Sequence, residues 1–266
     1  MVAIIVESLG LKAGDATILS EIALTVSSGE VFGILGPNGA GKTSLMRCLA
    51  GEVQAYTGRI EIFNQDLAHW SREGLARRRA VLAQQQSVLF PFAVVQVVAL
   101  GRYPHRRFEA ADGGASVVQA AMTHTGVIHL AGRPYDQLSG GEAQRAQTAR
   151  ALAQILGPPL TDKLLQLDEP TSSLDPKNQH ETMHLVRDLA SRGLTCICVL
   201  HDLNLAASYC DRVALLRAGR IHAIGRVSDV LTPQNIHDVF GIEVDIVHHP
   251  RNKGPVIVTL TKGGAS

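Results

Sequence analysis

The chain has 266 residues, 45% of them hydrophobic, and its 25 basic and 24 acidic side chains nearly cancel to a formal charge of +1. That length supports a substantial core and one catalytic domain with a subdomain, and is short for two enzymatic modules plus a membrane domain. The balanced charge excludes the overall electrostatic footprint of a nucleic-acid binder. The longest apolar region, residues 88–100, is broken by Pro91 and Gln96, short of the roughly 18 apolar residues of a spanning helix. The opening Met-Val-Ala-Ile-Ile-Val lacks a basic leader, so the chain reads as cytosolic.

In chain order, residues 2–6 and 22–26 pattern as strands, and Val31-Phe32-Gly33-Ile34-Leu35 is a short buried strand running into a glycine-rich loop. A helix follows over 42–50, stopped at Gly51. Residues 79–83 form a further strand that ends at Gln84, the first of three glutamines. From about 87 to 156 the period becomes helical, including 115–125 and 140–155, which predicts an inserted helical subdomain. Strands return at 164–167 and 195–200 around a helix over 176–191, a βαβ rhythm that implies a mainly parallel sheet. Strands at 212–217 and 220–223 are joined by Ala218-Gly219 as a hairpin. After Phe240 the chain reads as an appendage with a strand-like run at 255–260. The expected division is a nucleotide-binding core of 1–86 and 157–240, a helical subdomain of 87–156 and the appendage 241–266.

Cys48, Cys196, Cys198 and Cys210 lack zinc-ligand spacing; Cys196 and Cys198 share one face of a strand, and all four are expected as buried thiols. The histidines are scattered, and His248-His249 read as surface residues. Arg77-Arg78-Arg79 reads as a solvated helix end.

Gly36-Pro37-Asn38-Gly39-Ala40-Gly41-Lys42-Thr43 matches the P-loop pattern. Its glycines let backbone N–H groups wrap phosphates at a helix N-terminus, with Lys42 reaching the β- and γ-phosphates. Thr43 is placed to bind Mg²⁺, and Ser44 adds a contact near the phosphates. The run Leu164-Leu165-Gln166-Leu167 ends in Asp168, a Mg²⁺ ligand through water, and Glu169, the candidate general base for an attacking water. Between them lies Leu138-Ser139-Gly140-Gly141-Glu142, a hydroxyl and two glycines opening a helix whose N-terminus favours an anion.

This ordered set resembles the ATP-binding subunit of ABC transporters, and the resemblance covers most of the chain. It implies an α/β P-loop ABC ATPase with a RecA-like parallel-sheet core, N-terminal antiparallel strands and the inserted helical subdomain. By the same resemblance His201 contacts the γ-phosphate and orients the water and Glu169, and Ser173-Leu174-Asp175 is the loop that links two active sites. Gln84, with Gln85 in reserve, senses Mg²⁺ and the γ-phosphate. Residues 138–142 cap the ATP held by a second copy, so two chains meet head to tail. One position departs from the family: Ala13 stands where an aromatic residue usually stacks on adenine, and no aromatic precedes Phe32.

Residues 99–105 (Ala-Leu-Gly-Arg-Tyr-Pro-His), the three glutamines and His201-Asp202-Leu203-Asn204-Leu205-Ala206 resemble the branch that imports ferric siderophores, haem and vitamin B12. Thr171-Ser172-Ser173-Leu174-Asp175 and the long segment 157–163 are most similar to its haemin-import ATPases. The resemblance implies two membrane permease subunits, a periplasmic substrate-binding protein met only indirectly, a peripheral place on the cytoplasmic face of the bacterial inner membrane, and no direct contact with nucleic acid or haem. Residues 84–105 would accept a permease helix, with Arg102, His105, Arg106 and Arg107 either facing that partner or forming a solvated basic turn. A different class, a soluble ABC ATPase of iron–sulfur assembly, shares the same motifs and separates by its partners.

Overall fold

In a computed structural model, which describes residues 1–83, 92–107, 114–248 and 254–260, the chain opens with strands β1 (Val2–Ala13) and β2 (Ala16–Ser27), then β3 (Val31–Leu35) and helix α1 (Lys42–Leu49). Next come β4 (Tyr56–Ile62), β5 (Gln65–Asp66), α2 (Arg72–Arg78) and β6 (Arg79–Leu82). The helical stretch holds α3 (Val94–Ala99), a 3-10 segment over Leu100–His105, α4 (Ala115–His124) and α5 (Gly140–Ile155). The core resumes with β7 (Leu164–Asp168), α6 (Pro176–Ser191), β8 (Thr195–Val199) and α7 (Leu203–Tyr209). β9 (Arg212–Arg217), β10 (Arg220–Arg226), α8 (Val227–Val230), α9 (Pro233–Phe240), β11 (Val244–Val247) and β12 (Val256–Thr259) complete it.

The central sheet runs β10-β9-β3-β8-β7-β6, parallel throughout except for the edge strand β10. All five residues of β3, of β7 and of β8 are buried, as strands covered on both faces must be. One face, with Phe32, Ile34, Leu164, Ile197 and Val199, packs on α1 and on a separate sheet ordered β2-β1-β4-β5. The opposite face, with Val31, Leu35, Leu165 and Leu167, packs on α5, α6 and α7. Cys196 and Cys198 lie on this second face, as their spacing predicts. All four cysteines are buried free thiols, and burial pushes Cys48 up to about 11.

Several elements extend or correct the sequence reading. The two N-terminal strands are far longer than 2–6 and 22–26 because a long antiparallel ladder joins them. β4, unread in the sequence, pairs with β1 from Ile4↔Ile62 to Leu11↔Tyr56. The β9–β10 turn is as predicted, with Ala218 and Gly219 at φ 47° and 75°, the doubly positive conformation that twisted hairpins favour. Arg79 is no solvated helix end: it opens β6, its Nε is buried, and burial lowers its pKa. Gln166 interrupts the apolar run of β7, fully buried in the sheet.

Candidate active site

The parallel strands deliver the candidate residues to one edge, because β3, β7 and β8 all end there, and ligands of open α/β sheets bind outside the carboxyl ends of the strands. β3 leads into residues 36–41, β7 ends at Asp168 with Glu169 next, and β8 ends two residues before His201. Backbone bonds continue past the strand ends: Leu200 N–H donates to Ile34 O at 3.2 Å, and Glu169 N–H to Val199 O at 3.2 Å. The second of these draws Glu169 towards the His201 loop.

The glycine loop is held by its neighbours. A Cβ at Gly36 would lie 2.3 Å from Leu216 O, so only glycine permits this approach to β9. Gly219 N–H donates to Ala40 O at 3.1 Å, and Gly41, at φ 99°, caps α1. Lys42 is buried, and its Nζ donates to Gly36 O at 2.8 Å and Pro37 O at 3.0 Å. Burial lowers the Lys42 pKa, opposed by the charges of Glu169 and Asp168.

Asp168 is 3% exposed. Burial raises its pKa; hydrogen bonding from Thr43 opposes this, Glu169 adds to it, and Lys42 and His201 oppose it. Its Oδ1 is buried without a hydrogen-bond partner among the described residues. A buried, unpartnered carboxylate oxygen beside a threonine hydroxyl suits a hard cation, so the residues present fit Mg²⁺.

Glu169 sits at φ 54°, uncommon for a residue with a side chain, and its carbonyl is tied down on several sides. Ser172 donates to it from N at 3.3 Å and from Oγ at 3.1 Å, and Gln144 Nε2 donates at 3.3 Å. The Glu169 Oε1 lies 2.5 Å from His201 Nε2. The sequence marks Ser172 only as part of the 171–175 motif and does not mark Gln144, and it gives neither a contact with Glu169. Ser172 carries a detectable signal as a hydroxyl able to make a local turn, and Gln144 lies one turn along the helix from Gly140 and Gly141.

Leu138 precedes the cap of α5, and Ser139 is the cap, in a reciprocal box with Glu142. Ser139 Oγ accepts from Glu142 N–H at 3.3 Å and donates to Glu142 Oε2 at 2.8 Å, and Ser139 N–H donates to that oxygen at 2.8 Å. These bonds hold the Glu142 carboxyl below the usual range. The virtual Cβ of Gly141 lies 3.3 Å from Ser173 O and 3.5 Å from Leu174 Cδ2, so residues 138–142 and 173–175 adjoin. Asp175 caps α6, accepting from Asn178 N–H at 2.9 Å.

Gln84, Gln85 and Gln86 lie outside the described residues. Ala13 is exposed at the end of β1, opposite Ala16. Arg102 and His105 correct both readings of the basic turn. Arg102 is buried and donates to Ala153 O at 2.5 Å, and His105 Nε2 meets Gln154 O at 2.8 Å. Both therefore bind the end of α5 within the chain. Arg106 and Arg107 are exposed, Arg106 stacking on Tyr103 at 5.0 Å.

A family model described as ABC transporter matches residues 19–172, more than half of the chain. The hemin import ATP-binding protein HmuV of Pseudomonas fluorescens is 48% identical over 253 residues, covering 95% of this chain and 98% of that protein. Among solved structures, an inward-facing ABC transporter described as of metal-chelate type superposes with a TM-score of 0.82 at 26% identity, covering 98% of this chain and 99% of that one. A dimeric ATP-binding cassette in a post-hydrolysis state with ADP and phosphate superposes at 0.74 and 23% identity, over 84% of this chain and 98% of that one, a likeness of fold. The P-loop, the acidic strand end and the capped glycine pair thus stand on the expected scaffold, and the chain belongs to the ABC transporter family as an ATP-binding, ATP-hydrolysing subunit.

Proposed function

We propose that this chain powers import of haemin through a membrane permease, working as a head-to-tail dimer beneath two permease subunits. The carrying observation is the convergence of Lys42, Asp168, Glu169 and His201 at one sheet edge, with Glu169 Oε1 2.5 Å from His201 Nε2. The haemin assignment draws on the relatives' name and on the motifs of the import branch.

In this reading the backbone of residues 36–41 wraps the phosphates of ATP, Lys42 turns from the Gly36 and Pro37 carbonyls to the β- and γ-phosphates, and Ser44 adds a further contact. Thr43, Asp168 and Gln84 hold Mg²⁺, which when bound neutralises charge on the transferred phosphoryl group. Glu169 takes the proton of the attacking water, and His201 fixes the carboxylate through the contact already formed. Residues 138–142 close on the ATP of the partner copy, Ser139 offering its hydroxyl and the start of α5 its N–H groups, while 173–175 carry the link between the two sites. ATP closes the dimer and hydrolysis reopens it, moving the permease between its states.

The division into core (1–86 and 157–240), helical subdomain (87–156) and appendage (241–266) is part of this reading. No helix among the described residues is long and apolar enough to cross a membrane. The proposed location, drawn from the likeness to import ATP-binding subunits, is peripheral, on the cytoplasmic face of the inner membrane. Phe92, Val95, Leu100 and Tyr103 expose apolar surface on the helical segment, Leu100 at 50% and Tyr103 at 68%, which supports docking of a permease helix there. The periplasmic binding protein meets the permease and not this chain, and haem passes without touching it.

The test is growth of a strain lacking this gene with haemin as sole iron source, complemented by the wild-type chain or by Glu169→Gln. Rescue by wild type alone is the expected result. Growth of the uncomplemented strain on haemin, with failure on a ferric siderophore or under vitamin B12 limitation, overturns the cargo. Co-purification with soluble scaffold proteins in place of a multi-spanning membrane protein overturns transport.

A further inference from the structure

Beyond Phe240, β11 and β12 pair from Val244↔Thr259 to Val247↔Val256 as a hairpin. Its inner face, Val244 and Ile257, is buried in the main core. Two contacts seat it on α7. Asn204, in the first turn of that helix, uses both ends of its amide on one residue: Nδ2 donates to Ile257 O at 3.0 Å, and Oδ1 accepts from Ile257 N–H at 2.8 Å. The side chain thereby satisfies the donor and acceptor that the edge strand β12 turns away from β11. Further along α7, a Cβ at Gly254 would lie 2.0 Å from Ala207 O, so the chain entering β12 runs against the helix backbone as closely as glycine allows.

The helix so held has seven residues, too few to be stable without packing. Its cap, Asp202, accepts from Asn204 N–H at 2.7 Å and Leu205 N–H at 3.0 Å, and His201 immediately precedes that cap. The chain from the Glu169 contact to the hairpin is therefore short and continuous: His201, the Asp202 cap, Asn204, Ile257.

We infer that the C-terminal hairpin is a strut that fixes His201 against Glu169, with Asn204 as its positioning residue. The inference rests on the reading of His201 as the group that orients Glu169. It assigns β11 and β12 a part in hydrolysis through α7, at a distance from the reacting atoms. The phosphate-wrapping residues 36–44 carry most of the ATP contact and lie on a different segment, so the strut acts chiefly on the chemical step and changes ATP binding little.

Three single variants of the full chain test this: Asn204→Ala, Gly254→Ala and His201→Ala, each assayed for steady-state ATP hydrolysis, ATP affinity and thermal unfolding. Gly254→Ala pushes the strand off α7 while leaving the Asn204 side chain itself in place, so it keeps the test alive if Asn204→Ala fails to fold. Small misplacements of a catalytic group cost up to about a hundredfold in rate. The expected result is a kcat lowered by about fivefold or more in both Asn204→Ala and Gly254→Ala, with KM and ATP affinity within about twofold of wild type. If His201→Ala abolishes hydrolysis while the other two keep kcat within about twofold, the strut is refuted and the role of His201 stands. A matching rise in KM marks general loosening and also refutes it. Unchanged hydrolysis in His201→Ala overturns the role of His201, and the strut with it.

Discussion

Gln166 offers a sharp test of the energetics of the core. It lies in the middle of β7, 0% exposed, and neither Nε2 nor Oε1 has a hydrogen-bond partner among the described residues. A buried amide left without partners costs about 1–3 kcal/mol by the measure of protein mutations. Gln166→Met keeps an unbranched side chain of similar volume, so it removes the polar atoms without opening a cavity, and methionine adapts to the space left. The variant should gain about 1–3 kcal/mol, which at about 2–4 °C per kcal/mol for a chain of this size raises Tm by about 2–12 °C. Thermal unfolding of the nucleotide-free chain, followed by circular dichroism and calorimetry, reads this directly. A Tm equal to or below wild type would refute the reasoning, because it would mean that the amide is satisfied in the folded chain.

Burial raises the Asp168 pKa, so this group contributes stability below the ordinary carboxylate range and loses it as pH rises through its raised value. Nucleotide-free Asp168→Asn should therefore melt above wild type at neutral pH, the gap narrowing on acidification, and should lose hydrolysis; a gap independent of pH would contradict the assignment. Ser139→Ala removes the cap of α5 at a cost of about 0.5–2 kcal/mol and should weaken hydrolysis while sparing ATP binding by the single chain, measured with a fluorescent nucleotide. A large loss of single-chain affinity would contradict a site completed by a second copy. Ala13→Tyr restores a stacking surface worth very roughly 1–3 kcal/mol, and should tighten ATP binding by about fivefold to a hundredfold; unchanged affinity would show that adenine does not lie over the end of β1. Glu169→Gln should retain ATP and the closed dimer with hydrolysis abolished, and near-normal turnover would remove Glu169 as the base.

The sequence by itself determined the parts of this protein that are contiguous. Residues 36–44, 138–142 and 164–169 each carry their chemistry in local order, because a wrapped loop, a helix cap and a strand end are set by neighbouring residues. The βαβ rhythm determined the parallel core, since buried strands alternating with helices leave little topological choice. Tertiary structure decided what depends on distant partners. Arg102 and His105 look like any basic turn until the end of α5 supplies the carbonyls of Ala153 and Gln154. Gln144 reaches Glu169 across 25 residues of sequence, and Asn204 reaches Ile257 across 53. Neither pairing has a periodic signature. β4 was likewise unreadable, because its pairing with β1 is a long-range contact that outweighs its weak local pattern. Local chemistry is written in residue order; which backbone group a side chain meets is settled only when the layers pack.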